Sequence, residues 1–172
     1  MISSLDHLIV AVKDLQEAEL NYKKVFGNEP VWRGQHKELG TANSIFNFNN
    51  TYFELLAVKG KGLGASLVES AIEEKGEGLI GIVFGTNDIN NASKRLTKMG
   101  HSVAEISEGE GTDNGSKLTR NWKNLFLPPE LTRGIFSFII EHTHGYLPTI
   151  KEFPEDTINK LDHVVINTND AD

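Results

Sequence analysis

Cysteine is absent from the 172 residues, so no disulfide, zinc-thiolate knuckle or thiol nucleophile is available, and any metal must be held by His, Asp or Glu. An excess of basic residues is also missing. The 24 Asp and Glu outnumber the 17 Lys and Arg, giving a formal charge of −7, which argues against phosphate-backbone recognition and excludes nucleic acid as the expected partner. No long apolar run is present either: Leu8-Ile9-Val10-Ala11-Val12 falls far short of the ~20 residues that span a bilayer, and no basic amphipathic helix suggests a membrane surface. The N-terminus carries Asp6 where a secretory leader would carry basic and then apolar residues, so a cytoplasmic location is expected. With 38% hydrophobic and 24% charged residues, the composition is that of an ordinary globular chain.

An internal repeat organises what is there. Leu5-Asp6-His7-Leu8-Ile9-Val10 returns as Leu161-Asp162-His163-Val164-Val165-Ile166, and Gly78 to Ile89 matches the same frame, with Asp14-Leu15 falling on Asp88-Ile89. Each start is a strand-like apolar run followed by an Asp suited to cap a helix. Leu15, Ala18, Tyr22, Val25 and Phe26 then mark one helical face ending at Gly27, and Ile89, Ala92, Leu96 and Met99 another ending at Gly100. The period then shifts toward two. Strands are expected at 29–33, 40–48 and 51–58, and again at 102–106, 118–126 and 134–142. The pattern reads β-α-β-β-β twice, an α+β fold with units at about 4–62 and 78–145. Between them, Leu63 to Glu74 reads as a short helix with Leu67 and Ala71 on its apolar side. Glu108 to Gly115 reads as a mobile hairpin tip that could serve as a lid, residues 146–160 as a linker, and 161–172 as the first strand of an incomplete third unit.

The paired units, the opening Leu5-Asp6-His7-Leu8-Ile9-Val10-Ala11-Val12-Lys13-Asp14-Leu15 and the strand Tyr52-Phe53-Glu54-Leu55 resemble the vicinal oxygen chelate superfamily of glyoxalases, bleomycin-resistance proteins, fosfomycin-resistance enzymes and extradiol dioxygenases. The stretch Gly34-Gln35-His36-Lys37-Glu38-Leu39-Gly40-Thr41-Ala42-Asn43 before Tyr52-Phe53-Glu54-Leu55 is similar to a glyoxalase-like subfamily. The resemblance implies a cleft enclosed by two curved sheets, with a divalent metal held from the first and last strands of each unit. Carried over by position, the ligands are His7, Glu54 and Glu141. The fourth position falls on Gly81, which has no side chain to ligate and counts against glyoxalase I itself.

One histidine and two carboxylates would suit Mn, Fe, Ni or Zn acting as a Lewis acid, with Glu54 or Glu141 moving a proton. His36, Asn43 and Trp122 are the expected substrate contacts. Trp32 and Phe46 read as core or cleft wall, and His142 and His144 as a solvent edge. The expected partner is a small oxygenated metabolite, with a homodimer as a further expectation. Lyase, isomerase, epimerase and dioxygenase chemistry stay open, as do two alternatives: a metal-free binding protein of the bleomycin-resistance kind, and the N-terminal half of a longer four-unit dioxygenase-like protein. In the last reading His163 would be the first ligand of a missing catalytic half.

Overall fold

The computed structural model describes residues 2–167. Strand β1 (Ile2–Ala11) leads to helix α1 (Leu15–Phe26), whose first turn is capped where Asp14 accepts from the Gln16 and Glu17 backbone N–H groups at 2.9 and 3.0 Å. Strands β2 (Trp32–His36), β3 (Thr41–Asn47) and β4 (Tyr52–Val58) follow. Because α1 crosses over the sheet, β4 returns parallel to β1, pairing His7 with Tyr52 and Ile9 with Glu54. Phe26 fastens α1 to the outer face of that sheet, with edge-to-face rings at 5.2 Å from Phe46 and 5.1 Å from Phe53. Val25, expected on the same stripe, is exposed.

The second unit repeats the plan with β5 (Gly78–Thr86), α3 (Ile89–Lys98), β6 (Ser107–Asp113), β7 (Thr119–Phe126), a single-turn α4 (Pro129–Thr132) and β8 (Phe136–His144). Ile89, Ala92 and Leu96 of α3 pack on Leu125 and Ile139, while Met99 is exposed. The strands close in the order β1-β4-β3-β2-β6-β7-β8-β5, so the fold is the expected α+β arrangement with its cleft closed into a barrel. The seams between the halves are antiparallel, β1 on β5 and β2 on β6.

Both ends of the barrel are covered. Helix α2 (Leu63–Lys75) lies over one end and buries Ala65 and Val68, rather than the expected Leu67 and Ala71, with Val68 against Ile9, Ala11, Leu56 and Val83. Its N-terminus has no side-chain cap; the Leu39 carbonyl of the β2–β3 turn accepts from Ala65 N–H at 2.8 Å instead. At the other end the chain after β8 lays Leu147 against Trp32, Ile45 and Tyr52. That strap continues along the first unit, where Asn47 donates to Pro148 O at 3.0 Å and Ile158 N–H donates to Phe26 O at 2.9 Å. Residues 161–167 form no strand, and the rest of the expected third-unit strand lies outside the described residues.

Two expectations for the second unit change. The stretch 102–106 carries no strand, and Glu108 to Gly115, expected as a mobile tip, instead supplies most of β6, paired with β7 from Ser107↔Asn124 to Thr112↔Thr119. The cause is the Trp122 indole, which lies flat over β6. A Cβ on Gly109 would overlap its ring nitrogen, and one on Gly111 would come within 3.1 Å of its far edge. The two glycines are therefore a seat for the indole. Gly109→Val should lower stability by about 1–3 kcal/mol through overpacking, read as a shifted urea midpoint. An unchanged midpoint would mean that the indole is not held there.

Candidate functional site

Side chains pointing into the barrel form an apolar layer under α2 and a polar layer under the strap. The polar layer begins at a β-bulge: the β1–β5 ladder shifts register between Leu5 and His7, so Asp6 and His7 join one network instead of pointing to opposite faces. Asp6 takes His7 Nδ1 at 2.7 Å and, across the barrel from β8, His142 Nε2 at 3.1 Å. On β4, Glu54 places Oε2 3.5 Å from His7 Nε2 and accepts from Asn43 Nδ2 at 2.6 Å. Asn43 is fixed in turn, its Oδ1 accepting from the Gly34 N–H at 3.1 Å. The Tyr52 ring stacks on His7 at a centroid distance of 4.3 Å.

Arg120 enters this layer from β7. It is 5% exposed, with its guanidinium carbon 5.5, 5.6 and 5.9 Å from the rings of Trp32, Tyr52 and Trp122. Its Nη2 lies 3.4 Å from His142 Nδ1. A guanidinium has only donors, so His142 Nδ1 accepts and the ring hydrogen sits on Nε2, directed at Asp6. Among the described residues, Arg120 Nε has no hydrogen-bond partner.

Burial alone would raise the Asp6 pKa, but the hydrogen bonds from His142 and His7 outweigh it and hold this carboxyl well below the usual carboxylate range. Asp6 is then ionised and accepts only, so His7 donates from Nδ1. His7 Nε2 then faces Glu54 Oε2 across 3.5 Å. Burial pushes the His36 pKa down against the opposing Glu54 charge, and raises the Tyr52 hydroxyl well above its ordinary value.

His7, Glu54, Asn43, His36 and Trp122 are thus brought together, His36 meeting Thr41 Oγ1 at 3.0 Å and the Trp122 ring at 5.9 Å. Glu141 is not with them. It faces outward, where its Oε2 accepts from the Ile89 N–H at 2.9 Å in the first turn of α3. Its neighbour His142 is exposed, as expected of a solvent edge, and turns its imidazole from the rim toward Asp6. The alternation Phe136, Phe138, Ile140, His142 carries that signal in the sequence. The sequence reading also missed Asp6 and Arg120. Spacing two residues from Trp122 could have placed Arg120 on the inner face, whereas the bulge that turns Asp6 inward leaves no mark in the pattern.

The donor set does not make up the expected metal centre. Among the described residues no three His, Asp or Glu side chains converge as ligands. His7 and Glu54 offer two donors; a Cβ at Gly81 would already meet Phe136 and Ile9 at 3.0 and 3.3 Å. Beside the polar layer a cleft of about 210 Å³ opens between Ser3, Ser4, Thr86 and Asn87, and its wall includes Asp6 and His142. No helix among the described residues is long and apolar enough to cross a membrane.

Solved structures share this architecture. Methylmalonyl-CoA epimerase from Streptomyces coelicolor, as a single-residue variant in complex with 2-nitronate-propionyl-CoA, superposes with a TM-score of 0.64 at 21% identity, covering 82% of this chain and 98% of that one. The Mycobacterium tuberculosis epimerase gives 0.67 at 18% identity, covering 83% and 90%. A hypothetical protein from Staphylococcus aureus gives 0.65 at 19% identity, with 83% of this chain matched to 60% of that one. No curated protein matches the chain. The family model described as a glyoxalase-like domain matches residues 5–172. The chain belongs to the glyoxalase-like domain family, within the vicinal oxygen chelate superfamily whose paired βαβββ plan its barrel follows.

Proposed function

We propose that this chain is an isomerase-type enzyme that moves a proton on a small oxygenated metabolite, with Glu54 as the base. The observation that carries the reading is the 3.5 Å approach of His7 Nε2 to the buried Glu54 Oε2, next to an Asp6 carboxylate held ionised. With the proton on His7, Glu54 is a buried carboxylate able to take a hydrogen from a carbon next to a carbonyl; the carbon–hydrogen electron pair moves into the carbonyl as an enolate. Protonation at another face or atom then gives the isomer. Asp6 orients His7, and Asn43 fixes the other Glu54 oxygen. Two of the structural neighbours are methylmalonyl-CoA epimerases, one of them in complex with 2-nitronate-propionyl-CoA, which supports this class.

A second reading has an observation of its own. His7 and Glu54 already meet each other, and Leu147 packs over that end of the barrel, as suits a metal-free protein that only sequesters its ligand.

Deuterium exchange in D2O separates the two. On a panel of 2-oxoaldehydes, epimerisable 2-substituted acids and their thioesters, followed by NMR, the wild type should exchange the acidic C–H of at least one compound. Glu54→Gln should slow that exchange by about 10²-fold or more. Exchange no faster than buffer across the panel, or unchanged in the variant, would discard the enzyme reading.

The same charges set a pH dependence of stability. The folded pKa of Asp6 lies below its unfolded value, so its stabilisation is complete above about pH 4 and is lost as pH falls through the depressed folded value. Asp6→Asn should therefore cost about 3 kcal/mol at pH 7, chiefly by leaving the buried His7 donor without its ion partner. The gap from wild type should shrink below about pH 4 in urea titrations. A gap that does not vary with pH would refute the ionised Asp6.

A further inference from the structure

We infer that Arg120 is the anchor for a carboxylate on the ligand, so that the substrate class is a small carboxylic acid rather than a neutral carbonyl compound. The inference names the substrate of the proposed site and rests on that reading only in placing the ligand beside Glu54.

A guanidinium out of water needs its five N–H donors met, and leaving one unmet at a charged group is expensive. Arg120 is nine-tenths buried or more, yet no carboxylate of the chain pairs with it among the described residues. Nη2 is met by Nδ1 of His142, the Tyr52 hydroxyl accepts from the guanidinium, three aromatic rings surround it, and Nε has no partner. The contrast with Arg33 is direct. That surface arginine is gripped by both oxygens of Glu19, at 3.1 and 2.9 Å from Nε.

Asp6 and Glu54, the acids nearest Arg120 in the layer, are committed elsewhere, to two imidazoles and to His7 with Asn43. An Arg whose Nε–H is buried and unpaired between aromatic walls has a planar donor in reserve of the kind a carboxylate accepts. The 210 Å³ cleft reaches as far as His142, the residue against Arg120 Nη2.

The chain reports on this site by itself. Its two tryptophans, Trp32 and Trp122, are both walls around Arg120. Titration of the full chain with lactate, malonate and succinate, and with the corresponding amides, should give a saturable change in tryptophan fluorescence for at least one acid and none for its amide. Arg120→Lys keeps the charge but loses Nε–H and the planar fork, and should weaken that acid at least ten-fold. Glu54→Gln should retain the acid response while losing deuterium exchange.

An amide that binds as tightly as its acid would overturn the inference. So would an unweakened response in Arg120→Lys, or no saturable response to any acid in the wild type. Acid binding without deuterium exchange in the wild type would support Arg120 as the anchor while removing the proton-transfer reading. Exchange on a neutral carbonyl compound, unaltered in Arg120→Lys, would remove the anchor and keep that reading.

Discussion

Asp6 accepts from two imidazoles at once, His7 on its own strand and His142 on β8, and through that carboxylate the two repeats meet inside the barrel. A charge withdrawn from water is tolerated only where partners of suitable sign and geometry surround it. The rest of the polar layer follows from this one. An ionised Asp6 fixes the hydrogen of His7 on Nδ1, which turns Nε2 to Glu54; Glu54 draws in Asn43, and Asn43 takes the Gly34 N–H. On the other side His142 presents Nδ1 to Arg120. Side chains from both units are held by a continuous run of donors and acceptors, with tautomers dictated from one end.

Much of the architecture is legible in the sequence because it rests on periodicity. The Asp14 and Asp88 caps, the α1 and α3 stripes and the alternating strands are local signals, and each unit's elements follow in the expected order. What escapes is decided by contact between elements. Nothing near Glu108 to Gly115 announces that an indole from β7 will lie on its glycines, so the segment reads as loose until Trp122 is placed. The apolar side of α2 is likewise set by the barrel end it covers, which selects Val68 over Leu67.

The site divides in the same way. His7 and Glu54 are found by their place in the repeat, and His36, Asn43 and Trp122 by the stretches around them. Glu141 leaves the expected ligand position because an acid at a strand end has two stable options, an inward ligand position or the N-terminus of the neighbouring helix, and α3 supplies the second. Asp6 is invisible to any period-two argument, since a bulge alone brings it beside His7. At the fourth ligand position the space a Gly81 side chain would need is taken by Phe136 and Ile9. The fixed positive charge of the interior is the Arg120 guanidinium, held among Trp32, Tyr52 and Trp122.

The network turns on where two hydrogens sit. Nitrogen-15 chemical shifts and couplings of the imidazole rings in the uniformly labelled chain would locate them directly, at a pH near neutrality. The arrangement requires His7 to carry hydrogen on Nδ1, and His142 to carry it on Nε2 with a bare Nδ1 toward Arg120. A His142 protonated at Nδ1, or a His7 with no hydrogen on Nδ1, would contradict the Asp6-centred network.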